Sequence, residues 1–321
     1  MVRTRLYRDG VLTQKGFPIA EVSDHIADPD NVIWFDLCSP APDDLKVIAE
    51  ELGLHELAVE DVFNDHQRPK LDVYDSHLFL TMYGVRLEED RLVTVEISVF
   101  VTSNALVTVR ENDGFDIDEV VKRWDASRDL ARHGVPFLLH GLLDTVVDTQ
   151  FSLIEHFDDG VDELENELFA GDLGNKEMQR RTFGMRKKMV AFRRVVLPMR
   201  EVLNSLIRRD LKVVGPEMAP YYQDVYDHTL RLAEWADSLR ELIGNIRDTY
   251  MTQQGNRMNE IMKKVTSWAA IIAVPTMITG FYGQNLPYPG AQQSWGFWTS
   301  TLLVFGVSAL LYMAFKKRDW L

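Results

Sequence analysis

The sequence predicts an α+β domain followed by a long stalk helix and a C-terminal two-helix transmembrane hairpin. Three observations carry that prediction. From Val265 to Phe315 there is no Asp, Glu, Lys or Arg, and this window is broken in its middle by Gly283-Gln284-Asn285-Leu286-Pro287. Upstream of it Val225, Leu232, Leu239 and Ile246 recur at a strict heptad. The first part of the chain, to roughly residue 130, mixes short apolar strands with helical stretches and carries charges at ordinary density.

The boundaries read from these patterns are 1–135 for the N-terminal domain, 136–215 for a pair of helices, 216–264 for the stalk and 265–321 for the hairpin with its tail. In the first segment Val32–Leu37, His77–Tyr83, Val93–Val101 and Ala105–Arg110 read as buried strands, the last two joined by the turn-like Thr102-Ser103-Asn104. Asp43–Leu52 follows Ser39-Pro40-Ala41-Pro42 and reads as a helix with an acidic first turn. No glycine-rich phosphate loop follows any of these strands, which argues against a nucleotide site.

From Pro136 to Lys212 the pattern is helical and the charge segregated. Asp144 to Asn175 holds no Lys or Arg, whereas Lys176 to Lys212 is rich in both. Two antiparallel helices of opposite charge, joined at Gly171–Asn175, are the simplest reading. The stalk begins after Pro216 and Pro220 and meets no further proline before Pro275. Trp235, Leu242 and Tyr250 fill the intermediate apolar places of its heptad, which points to helix-on-helix association.

The uncharged window supplies two spans, about 265–282 and 297–315, each long enough for a hydrocarbon core of ~30 Å at ~1.5 Å per helical residue. Lys263 and Lys264 precede the first, and Lys316, Lys317 and Arg318 follow the second. Both clusters are expected on the cytoplasmic side, so both termini lie inside an inner (plasma) membrane. Trp295, Trp298, Tyr282 and Tyr288 at one level and Trp320 at the other fit interfacial belts.

Stepping by three and four from Asn259 gives Met262, Thr266, Ala269, Ala273, Thr276 and Gly280, one small or polar face of the first span. Such a face serves either close helix packing or a pore lining. Two spans cannot enclose a channel, so a pore demands a cyclic oligomer. The break at Gly283-Gln284-Asn285 favours the pore, because backbone leaving helical geometry at the membrane surface is tolerated only against protein or water.

Other chemistry finds little support. The formal net charge of -14 argues against nucleic-acid binding, and the single Cys38 excludes an intramolecular disulfide framework and a cysteine-rich zinc site. His55, Glu60, Asp61 and His66 lack the His-Glu-x-x-His spacing, and Asp158 to Glu167 do not form an EF-hand loop. No constellation for nucleophilic catalysis is legible, so the chain is not expected to be an enzyme.

Several segments nevertheless look familiar. Met258–Thr266 followed by Gly280-Phe281-Tyr282-Gly283-Gln284-Asn285 resembles the first span and signature of the CorA family of magnesium and cobalt transport proteins. Tyr222-Gln223-Asp224-Val225-Tyr226-Asp227-His228 resembles the start of that family's stalk. Val59-Glu60-Asp61 with Gln67–Asp72 is similar to its N-terminal domain, and Lys316–Trp320 to its basic tail. The resemblance implies a funnel-shaped homopentamer in a lipid bilayer, a channel for hydrated divalent cations with neither nucleotide nor organic cofactor. It implies Asn285 as the selectivity residue, with Gly283 permitting its turn and Gln284 standing where the family carries Met. Asn259, Met262, Val265, Ala273 and Thr276 fall on the family's pore-lining places, and Thr266, Ala269 and Gly280 share their face. Asp224 falls on a carboxylate that binds regulatory Mg2+ with an acidic group of a neighbouring subunit, for which Glu88, Glu89 and Asp90 are the candidates. The outer loop Leu286–Gly296 contains no Asp or Glu. With Gln284, that leaves a zinc-transporting relative of the ZntB type open as the alternative, beside a membrane-anchored structural or signalling assembly.

Overall fold

The computed structural model describes residues 2–64, 67–170, 175–208, 211, 213–284, 287 and 289–321. They form two compact units, 1–244 and 245–321.

The first unit is built on seven strands: β1 (Val2–Arg8), β2 (Val11–Lys15), β3 (Asn31–Cys38), β4 (Lys70–Val73), β5 (Leu78–Glu88), β6 (Arg91–Val101) and β7 (Ala105–Arg110). Their order in the sheet is β2-β1-β3-β7-β6-β5-β4. Only β3 and β7 pair in parallel; the neighbours on either side are antiparallel. The four strands expected from apolar runs are the central ones. The expectation left out β1, β2 and β4, for a physical reason. The edge strand β2 is exposed along most of its length, β4 is only half-buried, and β1 hides its period because Arg5 is buried to 7% exposure.

Helices cover both faces of the sheet. On one face α1 (Val22–Ile26), α2 (Pro42–Leu52) and α3 (Glu56–Asp61) bury Val22, Leu45, Ile48 and Ala58 against Phe35, Phe79, Phe100 and Val107. The expected helix α2 starts with Pro42 in its first turn, carries Asp43 and Asp44 at its positive end, and stops at Gly53 in a left-handed conformation (φ 61°). On the other face α4 (Ile117–Ala126) sets Trp124 edge-on to Trp34, ring centroids 4.9 Å apart. A short α5 (Arg128–Ala131) leads to α6 (Val135–Ala170). Trp124 donates to the Leu138 carbonyl at 3.1 Å, and a Cβ on Gly141 would fall 2.4 Å from its Nε1, so glycine lets the indole seat on α6.

Helix α7 (Asn175–Ile207) runs beside α6, with Phe157 and Phe192 in edge-to-face contact. The opposite charges of the two helices do meet, where Arg181 bonds both Glu163 and Glu167. Other basic groups of α7 go elsewhere: Lys188 pairs with Asp90 of the β5–β6 turn, and Arg193 with Asp237 at 2.6 Å. The expected turn at 171–174 lies outside the described residues.

Helix α8 (Ala219–Tyr282) is continuous across the boundary between the units. Its heptad positions Val225, Leu232, Leu239 and Ile246 are buried, as expected. The intermediate places are filled by Thr229, Ala236 and Ile243, whereas Leu242 is 38% exposed. Helix α9 (Ser294–Lys317) completes the second unit. Both α8 and α9 contain a stretch long and apolar enough to cross a membrane.

Candidate ion pathway

Within the apolar stretch of α8 the buried and half-buried positions are Ser267, Ala270, Ile271, Val274, Pro275, Ile278 and Tyr282. Those of α9 include Ser300, Val304, Val307, Ser308 and Leu311. Each set recurs at three and four residues, as two helices of one hairpin require. Asn259, Met262, Val265, Thr266, Ala269, Ala273, Thr276 and Gly280 are all exposed. At 100° per residue their face is centred roughly 150° round α8 from the buried one. The small and polar stripe is therefore not the face that α8 buries in this unit.

Chemistry along the stripe is uncharged. Thr276 donates its hydroxyl proton to the Ile272 carbonyl at 2.8 Å, and Thr279 donates to the Thr276 carbonyl at 3.0 Å. Back-bonding of this kind satisfies the hydroxyl proton and leaves oxygen lone pairs to accept from elsewhere. Met262 and Val265, 57% and 61% exposed, place apolar bulk at the N-terminal end of the span. A groove of about 560 Å³ there is lined by Asn256, Asn259, Glu260, Met262, Lys263, Thr266 and Trp320, whose indole stacks on Phe315.

At its C-terminal end α8 closes through Tyr282. The Gly283 amide donates to the Thr279 carbonyl at 2.8 Å, and the Gln284 amide to Phe281 at 3.3 Å. Gly283 is not in the left-handed region; its service to the turn is close approach, since a Cβ would lie 3.1 Å from the Thr279 oxygen. Asn285, with Leu286 and Tyr288, lies outside the described residues. Beyond it the loop folds tightly on the start of α9: Gly290 (φ 89°) sits against Gly296, where a Cβ would meet the Gly290 oxygen at 2.3 Å. A groove of about 420 Å³ bordered by Thr279, Gly283, Gln292, Gln293 and Ser300 opens beside this turn, and among the described residues that line it the Tyr282 phenol is the only ionisable group.

In the first unit Asp224 is 68% exposed on α8. Among the described residues two imidazoles interact with its carboxylate. His228 Nε2 lies 3.9 Å away one turn on, and His140 of α6 feels its charge. His140 stands against the Tyr221 and Tyr222 rings, and burial holds its pKa below the ordinary value. Asp144 and Asp224 pull it the other way, and Arg123, itself bonded to Asp144 and Asp148, adds to the depression. Sequence reasoning missed these histidines, although His140/Asp144 and Asp224/His228 stand at the i,i+4 spacing that signals them. Of the acidic candidates, Asp90 is paired with Lys188 and Glu88 with Arg86 at 2.5 Å. Glu89 and Asp90 form the left-handed corner of the hairpin at φ 45° and 65°. The structure does not bring them to Asp224 within one chain. Among the described residues no three His, Cys, Asp or Glu side chains are gathered so as to hold a metal ion.

Comparison with known proteins agrees with this arrangement. Residues 29–317 match the family described as CorA-like Mg2+ transporter protein. The cobalt/magnesium transport protein CorA of Thermotoga maritima is 34% identical over 286 residues, 87% of this chain and 80% of its own. The complete structure of the CorA magnesium transporter from Methanocaldococcus jannaschii superposes with a TM-score of 0.79, covering 99% of this chain and 98% of that one at 24% identity. The cytoplasmic domain of ZntB from Vibrio parahaemolyticus gives a TM-score of 0.61 over 78% of this chain and 98% of its own, at 17% identity, a likeness of fold alone. The chain belongs to the CorA-like Mg2+ transporter family, as a divalent-cation transporter of the membrane and not an enzyme.

Proposed function

We propose that this chain forms a homopentameric channel for passive entry of hydrated divalent cations, Mg2+ first and Co2+ or Ni2+ after it. The observation that carries the reading is the exposed stripe from Asn259 to Gly280, turned away from the face that α8 buries. Copies of α8 arranged about an axis would line a pore with amide, hydroxyl and small apolar groups. Magnesium gives up water reluctantly, so neutral oxygens that hydrogen-bond its shell suit it better than ligands that replace it. Asn285 supplies such an oxygen at the outer mouth, flanked by Gly283 and Gln284. With both termini inside a plasma membrane, an inside-negative potential of ~100 mV favours entry of a divalent ion by about 4.6 kcal/mol. Asp224, exposed on the stalk, takes regulatory Mg2+ with an acidic group of a neighbouring subunit, Glu89 being the candidate without an ion pair among the described residues.

Zinc is the second reading. Gln284 in place of Met and an outer groove without a carboxylate favour it. Flux into vesicles carrying the purified chain, run in parallel with Mg2+, Co2+, Ni2+ and Zn2+, decides between them. Mg2+ uptake driven by an imposed potential alone is the expected result. Uptake of Zn2+ alone, or none without a proton gradient, would refute the passive magnesium channel.

A further inference from the structure

Followed toward the N-terminus in steps of four and three residues, the exposed stripe of α8 runs from Met262 through Met258 and Gly255 to Met251. At 100° per residue the three methionines fall within about 40° of one line, on which Ala269 and Gly280 also lie. Arg257, Glu260, Lys263 and Lys264 occupy the other faces of this segment. A row of apolar side chains thus crosses a stretch of helix that is otherwise charged.

Burial divides the methionines of the chain into two populations. Met251 and Met258 are each 59% exposed and Met262 57%, whereas Met82, Met178, Met189, Met199 and Met218 are buried to 2% or less. Gly255 widens the approach to the exposed row, since a Cβ placed there would meet nothing within 4 Å. A row that continues the proposed pore lining also stays in contact with the water of the pore when copies of α8 surround it.

That exposure opens the thioethers to one reaction. A sulfur lone pair attacks one oxygen of hydrogen peroxide, the O–O bond breaks, and water leaves. Sulfur is oxidised by two electrons to the sulfoxide and the peroxide is reduced. The product keeps nearly the same bulk and places a polar, hydrogen-bond-accepting oxygen where apolar surface stood. A ring of thioethers that excludes water becomes a ring that holds it.

We propose that Met251, Met258 and Met262 are oxidation sites for hydrogen peroxide, and that the sulfoxide at Met262 wets the inner constriction and raises cation flux. The gating step rests on the channel reading; the oxidation rests on exposure alone. Met262 is decisive because it stands one turn before Val265 and the start of the uncharged window. Met258 and Met251 lie one and three turns farther out, between faces that already draw water, so their oxidation adds little to flux.

The test uses the full-length chain carrying Cys38→Ser, which keeps its one thiol out of the response. The protein is oxidised with hydrogen peroxide in detergent, half of it is then treated with methionine sulfoxide reductases, and both halves are placed in vesicles. Peptide mass spectrometry should find one added oxygen on Met251, Met258 and Met262 about tenfold sooner than on Met82, Met189 and Met199. Equal rates in the two sets would overturn the proposal. Mg2+ entry should rise about threefold on oxidation and return to its starting rate after the reductases. Met262→Leu has similar volume and no sulfur to oxidise, so its ratio of oxidised to untreated flux should fall to about one, although Met277 and Met313 remain. A threefold rise that persists in Met262→Leu would overturn the gating step. So would unchanged flux from protein whose Met262 is shown to be oxidised. Protein without flux before and after treatment would refute the channel reading and the gating step with it, while the oxidation map is judged by mass alone.

Discussion

The Tyr222 hydroxyl donates to the Pro136 carbonyl oxygen at 2.8 Å, tying the start of α8 to the start of α6. Tyr222 is fully buried, and burial drives its phenol pKa far above the ordinary range, so this donor does not ionise under working conditions. His140 lies on the same ring one turn along α6.

That neighbour makes the junction acid-sensitive. Burial lowers the folded-state pKa of His140 below 6.5, the value it regains on unfolding. Between those two values the unfolded chain binds the extra proton, so stability falls as pH drops through 6.5 and on toward the folded value. His77, depressed by its own burial, contributes in the same direction. Thermal unfolding of the solubilised protein should therefore shift downward on acidification, and less so for His140→Gln. Identical pH profiles for variant and wild type would dismiss His140 as a contributor.

A second prediction concerns the core. Arg110 and Asp36 are bonded at 2.6 Å with side-chain exposures of 4% and 1%. Asp36→Ala strands a buried guanidinium and should cost about 3–5 kcal/mol. Denaturant unfolding followed through the buried Trp34 and Trp124 indoles measures it. A loss below about 1 kcal/mol, the range of exposed pairs, would mean the pair is relieved by water.

At the outer mouth, Asn285→Ala should abolish cation uptake while the oligomer still assembles. Near-normal flux from an intact oligomer would remove Asn285 from the pathway. Gln284→Met should keep flux and change the magnesium-to-zinc ratio.

The proposed channel puts Met262 and Val265 at its inner end, where a ring of apolar side chains would stop conduction by dewetting. Replacing either with Gly or Ser should raise basal flux severalfold. Unchanged flux in both moves the gate toward Thr266–Ala273.

Asp224→Lys tests the sensing reading of the stalk. A fixed cation there mimics bound Mg2+ only if an acidic group faces it across a subunit boundary. Protection from proteolysis without Mg2+ is expected, where wild type should need millimolar-range Mg2+. Equal cleavage of wild type with and without Mg2+ would end the sensing hypothesis.

What the sequence determined by itself is whatever rests on local periodicity. The uncharged window, the stalk heptad, the central strands and the small-residue stripe are runs of one property, and each was found in the expected element. Edge strands β2 and β4 escaped because exposure erases the apolar alternation, and β1, inside the sheet, because the buried Arg5 hides its period. Tertiary structure alone decided which residues distant in sequence meet. It put Asp36 on Arg110, His140 beside Asp224, and Glu96 across from Glu111, pairings fixed by strand register and helix packing that no single-residue property encodes. It also decided that the stripe on α8 faces away from the buried side, where Ser267, Ile271, Val274 and Ile278 lie. A period says that a helix has two faces; only the packing says which one is already taken.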